Sequence, residues 1–182
     1  MANVIRHLRI DHVHMNRLLD VLEAQLALFH EGENPDYTMM MDIMQYMVNY
    51  PDRFHHPKED LVFKKLAERD PGARLVVKDL MNKHEALSVQ GNAFIESLRT
   101  VLSEFMVERK TLESQGYEYT KTLRQHIDIE ENQVLPLAAK LLLEQDWNEI
   151  EDTMEAIEDP LFGPTIEKEY LALYDYIKHQ SE

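Results

Sequence analysis

Val76-Val77-Lys78-Asp79-Leu80-Met81-Asn82-Lys83-His84-Glu85-Ala86-Leu87 decides the fold class of this chain. Val77, Leu80, Met81 and Leu87 recur every three or four residues, the spacing of one face of an α-helix. Phe94, Leu98, Val101 and Phe105 continue the same stripe. His84 falls on it, three after Met81 and three before Leu87, so a titratable ring shares the face that turns toward a core. The pattern predicts a long helix over Ala73–Leu112, with Gly91 as its one internal breaker and Ser114-Gln115-Gly116 as its end.

The same periodicity extends to both sides. Ile5, Leu8, Met15, Leu19, Leu22 and Leu26 predict a first helix over Val4–His30, stopped by Gly32, Asn34 and Pro35. A second helix is predicted over Thr38–Arg69. Its stripe is Met44, Met47, Pro51, Phe54, Val62 and Leu66, and a kink is expected near Pro51 or Pro57, because proline removes a backbone donor and crowds the preceding turn. Leu123, Val134, Leu137 and Leu141 predict a fourth helix over Tyr117–Glu144, bent at Pro136. Beyond it a short helix over Trp147–Ile157, a loop from Asp159 to Pro164 and a terminal helix over Thr165–His179 are expected. Trp147, Ile150, Met154, Leu161 and Phe162 would pack this tail across the bundle end. Four long helices with short connections favour an all-α, up-down-up-down antiparallel four-helix bundle. The bundle is assigned to residues 1–145 and a C-terminal helical extension to residues 146–182.

Composition narrows the function. The 182 residues include 34 acidic and 19 basic side chains, for a formal net charge of -15. Such a surface repels phosphate backbones, so nucleic acid is not an expected partner. No run of apolar residues is long enough to span a bilayer and no signal-peptide pattern opens the chain, so no membrane association and a cytoplasmic location are expected. The chain has no cysteine. Disulfides, thiolate metal sites and cysteine nucleophiles are therefore absent, and any metal must be held by nitrogen and oxygen.

Nine histidines are distributed unevenly around these helices. His12 lies four after Leu8 and three before Met15, on the first stripe. His55 lies four after Pro51, with Glu59 one turn on. His126 lies three after Leu123, with Glu130 one turn on. Each long helix thus carries one inward histidine, and two carry a glutamate at i+4 on the same face. Glutamates facing a core are costly unless a cation neutralises them. Four imidazoles and two carboxylates converging in a bundle form a ligand set for a pair of iron or manganese ions, and the carboxylates can bridge two such ions. His7, His14, His30 and His179 read as solvated. His56 aligns with Asn49, Asp52 and Asp60, a wetter face, from which it could orient a ligand. Glu131 reads as solvated and Tyr119 as a core tyrosine.

The combined pattern resembles the hemerythrin-like, or HHE cation-binding, family. The resemblance rests on Asp11-His12, His55-His56-Pro57-Lys58-Glu59, Lys83-His84-Glu85 and His126-Ile127-Asp128-Ile129-Glu130-Glu131 followed by Leu135-Pro136. It implies a four-helix bundle around an oxo- or hydroxo-bridged pair of iron ions, with manganese or zinc as alternatives. It also implies His12, His55, Glu59, His84, His126 and Glu130 as the metal ligands, with Glu59 and Glu130 bridging. The chain departs from the oxygen-carrying members. Where they have HxxxH in the third helix, Ser88 stands in the second position; where they have HxxxxD in the fourth, this chain has HxxxE. One histidine fewer implies an open position suited to reaction or sensing rather than to oxygen carriage.

Three readings follow. The first is a non-haem di-iron protein that reacts with or senses O2, peroxide or nitric oxide. The second is a metal-dependent sensor or interaction protein without turnover, whose tail reports occupancy to a protein partner. The third is a metal-free helical interaction module whose histidines are core residues. No catalytic residue outside the metal shell is indicated.

Overall fold

Capping chemistry sets where the helices begin and end. In the computed structural model, which describes residues 2–153 and 157–179, α1 spans Ala2–Glu31. It ends where Gly32 adopts φ 87°, so that the Glu33 amide reaches back to the Leu28 carbonyl at 2.9 Å. A glycine in this left-handed position closes a helix without steric cost. Asp36 then caps α2, Tyr37–Asn49, by accepting from the Met39 amide at 2.9 Å. A π-turn over Pro51–His55 leads into α3, His56–Arg69. A 3₁₀ turn, Pro71–Ala73, joins it to α4, Arg74–Leu102. α5 spans Arg109–Ile129, followed by a second π-turn, Glu130–Val134, and α6, Leu135–Leu141. α7, Glu144–Thr153, a 3₁₀ turn at Lys168–Tyr170 and α8, Leu171–His179, follow among the described residues. The protein is all-helical, with no strand among the described residues.

The break between the third and fourth long helices differs from the expectation. α4 stops at Leu102, not Leu112, and Phe105 is 71% exposed rather than on the core stripe. The stop is made by Glu104, at φ 61°, with the Phe105 amide bonded to the Thr100 carbonyl and the Glu104 amide to that of Val101. This is the glycine-type helix end carried out by a glutamate. The expected breaker, Gly116, lies buried inside α5. A Cβ there would stand 2.5 Å from Leu26 Cδ2, so the glycine serves close approach of α5 to α1 rather than a turn. The fourth helix also ends sooner, at Leu141, because Leu142 is extended. The short helix predicted from Trp147 starts at Glu144, and the terminal helix starts at Leu171 instead of Thr165. Met154 and the neighbouring end of the predicted short helix lie outside the described residues.

Both predicted proline bends take one form. Pro57 and Pro136 are each the second residue of a helix that follows a π-turn. The residue before each proline bonds one position further back than in an α-helix, His56 to the Pro51 carbonyl and Leu135 to the Glu130 carbonyl. The wider turn relieves the clash between the proline ring and the carbonyl four residues earlier.

The core divides into two apolar clusters. The larger contains Met15, Leu19, Leu22 and Leu26 of α1, Met40, Met44 and Met47 of α2, Leu87, Phe94 and Leu98 of α4, and Leu112, Tyr119 and Leu123 of α5. Leu161, Tyr170, Leu173 and Ile177 of the tail join it. The smaller contains Val4 and Leu8 of α1, Val62, Phe63 and Leu66 of α3, Val77 and Leu80 of α4, Val134 and Leu135, and Trp147 and Ile150 of α7. α1 and α4 run from the smaller cluster to the larger; α2 with α3, and α5 with α6, run from the larger to the smaller. Every rod therefore crosses the level between the clusters. No helix among the described residues is long and apolar enough to cross a membrane.

Candidate metal centre

Between the two clusters lies a polar layer. His12, His55, Glu59, His84, His126 and Glu130, the six side chains singled out from the sequence, all fall in it and are all buried. Glu59 and Glu130 are 0% exposed, which is costly for a carboxylate without a cationic neighbour.

The two carboxylates divide their oxygens between two sets of rings. Glu59 Oε1 lies 3.1 Å from Nε2 of both His12 and His55, while its Oε2 lies 3.4 Å from His84 Nε2. Glu130 Oε2 lies 3.4 Å from His12 Nε2, while its Oε1 lies 2.8 Å from His126 Nε2 and 3.7 Å from His84 Nε2. His12 and His55 form one pole and His84 and His126 the other, with each glutamate reaching both.

The structure adds a fifth ring. His56 is buried, and its ring stacks on His84 with centroids 4.2 Å apart. Its donor nitrogen lies within 4.8 Å of donor atoms of Glu59, His84 and His126. The wet-face assignment failed because His56 stands three before Glu59 and seven before Phe63 on α3, on a face that is buried along its length. The signal was that three- and seven-residue spacing, which the sequence reading did not use.

Outside this layer a ring of carboxylates faces the other side of the imidazoles. Nδ1 of His12 bonds Glu131 at 2.7 Å, Nδ1 of His55 bonds Asp11 at 2.9 Å and Nδ1 of His84 bonds Asp60 at 3.1 Å. His56 Nδ1 lies 3.1 Å from Asp52. An ionised carboxylate only accepts, so in each pair Nδ1 carries a hydrogen and Nε2 is the nitrogen that faces inward, able to offer its lone pair to a cation once its own proton has left. Glu131 is thus half-buried and bonded to His12, not simply solvated; Arg9 holds its other oxygen at 3.0 Å. His126 has no such partner among the described residues, and its Nδ1 is buried and unpaired.

His7, His30 and His179 are exposed as expected. His14 is half-buried instead, stacked on Phe162 with centroids 4.0 Å apart. Tyr119 is in the larger apolar cluster, where burial and then the charge of Asp52 push its hydroxyl pKa up and keep its proton on.

With no cation among them, these groups neutralise one another with protons. Burial opposes a charge on His12, but the nearby carboxylates of Glu130, Glu131 and Glu59 prevail and hold its pKa well above the ordinary value. His55 is raised against the same cost by Glu59 and Asp11. His84 is pushed up to about 11 by Asp60, Glu130 and Glu59. Burial raises the carboxyl pKa values, but His55 and His12 hold Glu59 well below its usual range, and His12, His126 and His84 bring Glu130 down to about 2. His56 is lowered, first by burial, so its ring stays neutral.

Pairing by protons leaves the layer unsatisfied. Nε2 of His55 and of His56, Oε2 of Glu59 and both oxygens of Glu130 find no hydrogen-bond partner among the described residues, although they lie close to one another. Buried polar atoms are normally paired. Unpaired nitrogen and oxygen donors converging from several helices fit a cation better than a hydrogen-bond network, and an all-N/O set suits iron, manganese or zinc.

Comparison with protein families agrees. Residues 3–138 match the Hemerythrin HHE cation binding domain, and the chain belongs to that family. No curated protein matches the chain.

Proposed function

We propose that the polar layer holds two iron ions, and that the protein is a non-haem di-iron protein of hemerythrin type that reacts with or senses O2, peroxide or nitric oxide. The observation that carries this reading is the division of Glu59 and Glu130 between two poles of imidazoles. A single cation needs one pole; two carboxylates that each reach both poles suit a bridged pair. His12, His55, His84, His126, Glu59 and Glu130 are the assigned ligands, and His56 joins them on the His84–His126 side in place of the histidine missing at Ser88. The set still has fewer donor atoms than two six-coordinate ions use, which leaves room for a small ligand.

Bound iron would supply the electron transfer and ligand affinity that no side chain here possesses. The chain's own residues orient and insulate. Asp11, Asp60, Glu131 and Asp52 fix the tautomer of four rings. The apolar clusters on either side exclude bulk water. On this reading residues 1–145 form an up-down-up-down bundle, supported by the short connections between its rods, and residues 146–182 form an extension packed on it.

One observation favours a sensing role within this reading. Tyr46 of α2 donates to Asp159 of the tail at 2.9 Å, and Asp159 shares a cluster with His14 and with Asp11, the residue that orients His55. Occupancy of the centre therefore has a direct path to the tail.

The test is spectroscopic. Iron-loaded protein should show near-ultraviolet and visible bands that change on adding azide or peroxide, and Glu59→Ala and His126→Ala should abolish them. Folded, iron-exposed protein with no such bands would overturn the reading.

A further inference from the structure

A small molecule bound for the centre must pass a wall of side chains, and the wall is not equally thick all round. His12, His55, Glu59, His126 and Glu130 are each at most 2% exposed, whereas His84 is 8% and its stacking partner His56 6% exposed. His84 also forms part of the wall of a surface cleft of about 630 Å³ between α3 and α4. The cleft is bounded by two facing helical stripes. Asp60 and Lys64 lie four apart on α3, and Val77, Met81 and His84 lie at spacings of four and three on α4. The Asp60–His84 hydrogen bond joins the two stripes. On the far side of that ring, His84 Nε2 is 2.9 Å from His126 Nε2 and 3.4 Å from Glu59. One imidazole thus separates solvent from the middle of the polar layer.

We propose that this cleft is the route by which small ligands, whether a neutral diatomic or a small anion, reach the centre, with Met81 as the residue that sets its width and the Asp60–His84 pair as its inner wall. The inference rests on the di-iron reading. Met81 is only partly buried and flexible, packed against the smaller apolar cluster, so its side chain can yield or obstruct without remodelling the helix. An apolar groove of similar size over α1, lined by Ile5, Ile10 and Val13, has no assigned ligand in its wall and provides a control surface.

The test is the association rate of azide and of nitric oxide with iron-loaded protein, measured by rapid mixing, alongside iron content per chain. Because steric access at a gate sets ligand rates directly, Met81→Trp should slow both probes by about tenfold and Met81→Ala should speed both by about threefold. Val13→Trp should change neither. Opposite signs at one position separate a gate from general damage, and Val77→Phe, expected to slow both probes, replaces Met81→Trp if that variant does not fold. Full iron content with wild-type rates in the Met81 variants would overturn the route. A wild-type chain that takes up no pair of ions would overturn the di-iron reading itself, and the route with it.

Discussion

The four rods cross the polar layer in two different ways. α1 and α4 pass through as uninterrupted α-helix and contribute one ring each, His12 and His84. The other two rods are interrupted there, by the π-turns Pro51–His55 and Glu130–Val134; the first contributes two rings and a carboxylate, His55, His56 and Glu59, and the second a ring and a carboxylate, His126 and Glu130. The first π-turn ends at His55 and the second begins at Glu130, so each widened turn includes an assigned ligand. The rods that bring negative charge into the core are the ones whose backbone is widened and whose next turn holds a proline. The comparison teaches that placing a fully buried glutamate between the two poles is paired with a local change of helical register, whereas placing a single histidine there, or Asp11 behind one, is not.

The sharpest way to break that comparison is to remove a carboxylate. Glu59→Ala should abolish binding of the ion pair, measured as iron per chain. Without metal it should also destabilise the fold, by about 3–5 kcal/mol in denaturant unfolding, since it leaves buried imidazolium groups uncompensated. Next in size is a change outside the layer. Asp11→Asn keeps the His55 contact but weakens its polarity, and should lower iron affinity by about 10–100-fold with the fold intact. A substitution in the straight-running contact of α5 with α1 should do the reverse. Gly116→Ala, whose new methyl meets Leu26, should cost about 1–3 kcal/mol of stability and leave iron stoichiometry unchanged.

The effect of pH on metal-free protein is the least specific to any one rod, and its sign is fixed by the shifts above. His12, His55 and His84 have raised pKa values in the folded state, so their pairing contributes fully below the unfolded value near 6.5 and is lost as pH rises toward the folded values, about 11 for His84. Glu59 and Glu130 are depressed, so their contribution is present above the unfolded value near 4.5 and is lost as pH falls toward about 2 for Glu130. The cluster's contribution to metal-free stability is therefore greatest between these limits, and the melting temperature should fall from pH 6 to pH 9. Bound metal displaces the protons, so loaded protein should show no such fall and iron affinity should rise over the same interval.

Much of this was legible in the sequence. Three-four spacing in the apolar stripes marked the helices, and placed one histidine of each stripe, with Glu59 and Glu130, on inward faces. Three kinds of feature were not legible. The width of the buried face of α3 escaped, because His56 aligns with Asp52 and Asp60 yet also stands three before Glu59 and seven before Phe63 on the buried side. Helix ends escaped where the usual residue was not used, as Glu104 took the left-handed position that glycine normally fills while Gly116 served packing. The outer carboxylates Asp11, Asp60 and Glu131 depend on contacts between rods, and Glu131 lies 119 positions from His12 in sequence, so spacing within one helix carries no sign of them.

The most direct test of the central claim is a titration of ferrous iron into metal-free protein under anaerobic conditions, followed by counting of retained iron per folded chain after desalting. Two ions per wild-type chain, and fewer in Glu59→Ala and Glu130→Ala, are predicted. A folded wild-type chain that retains one ion or none would contradict the claim, and the buried histidines and glutamates would then be a self-neutralised core.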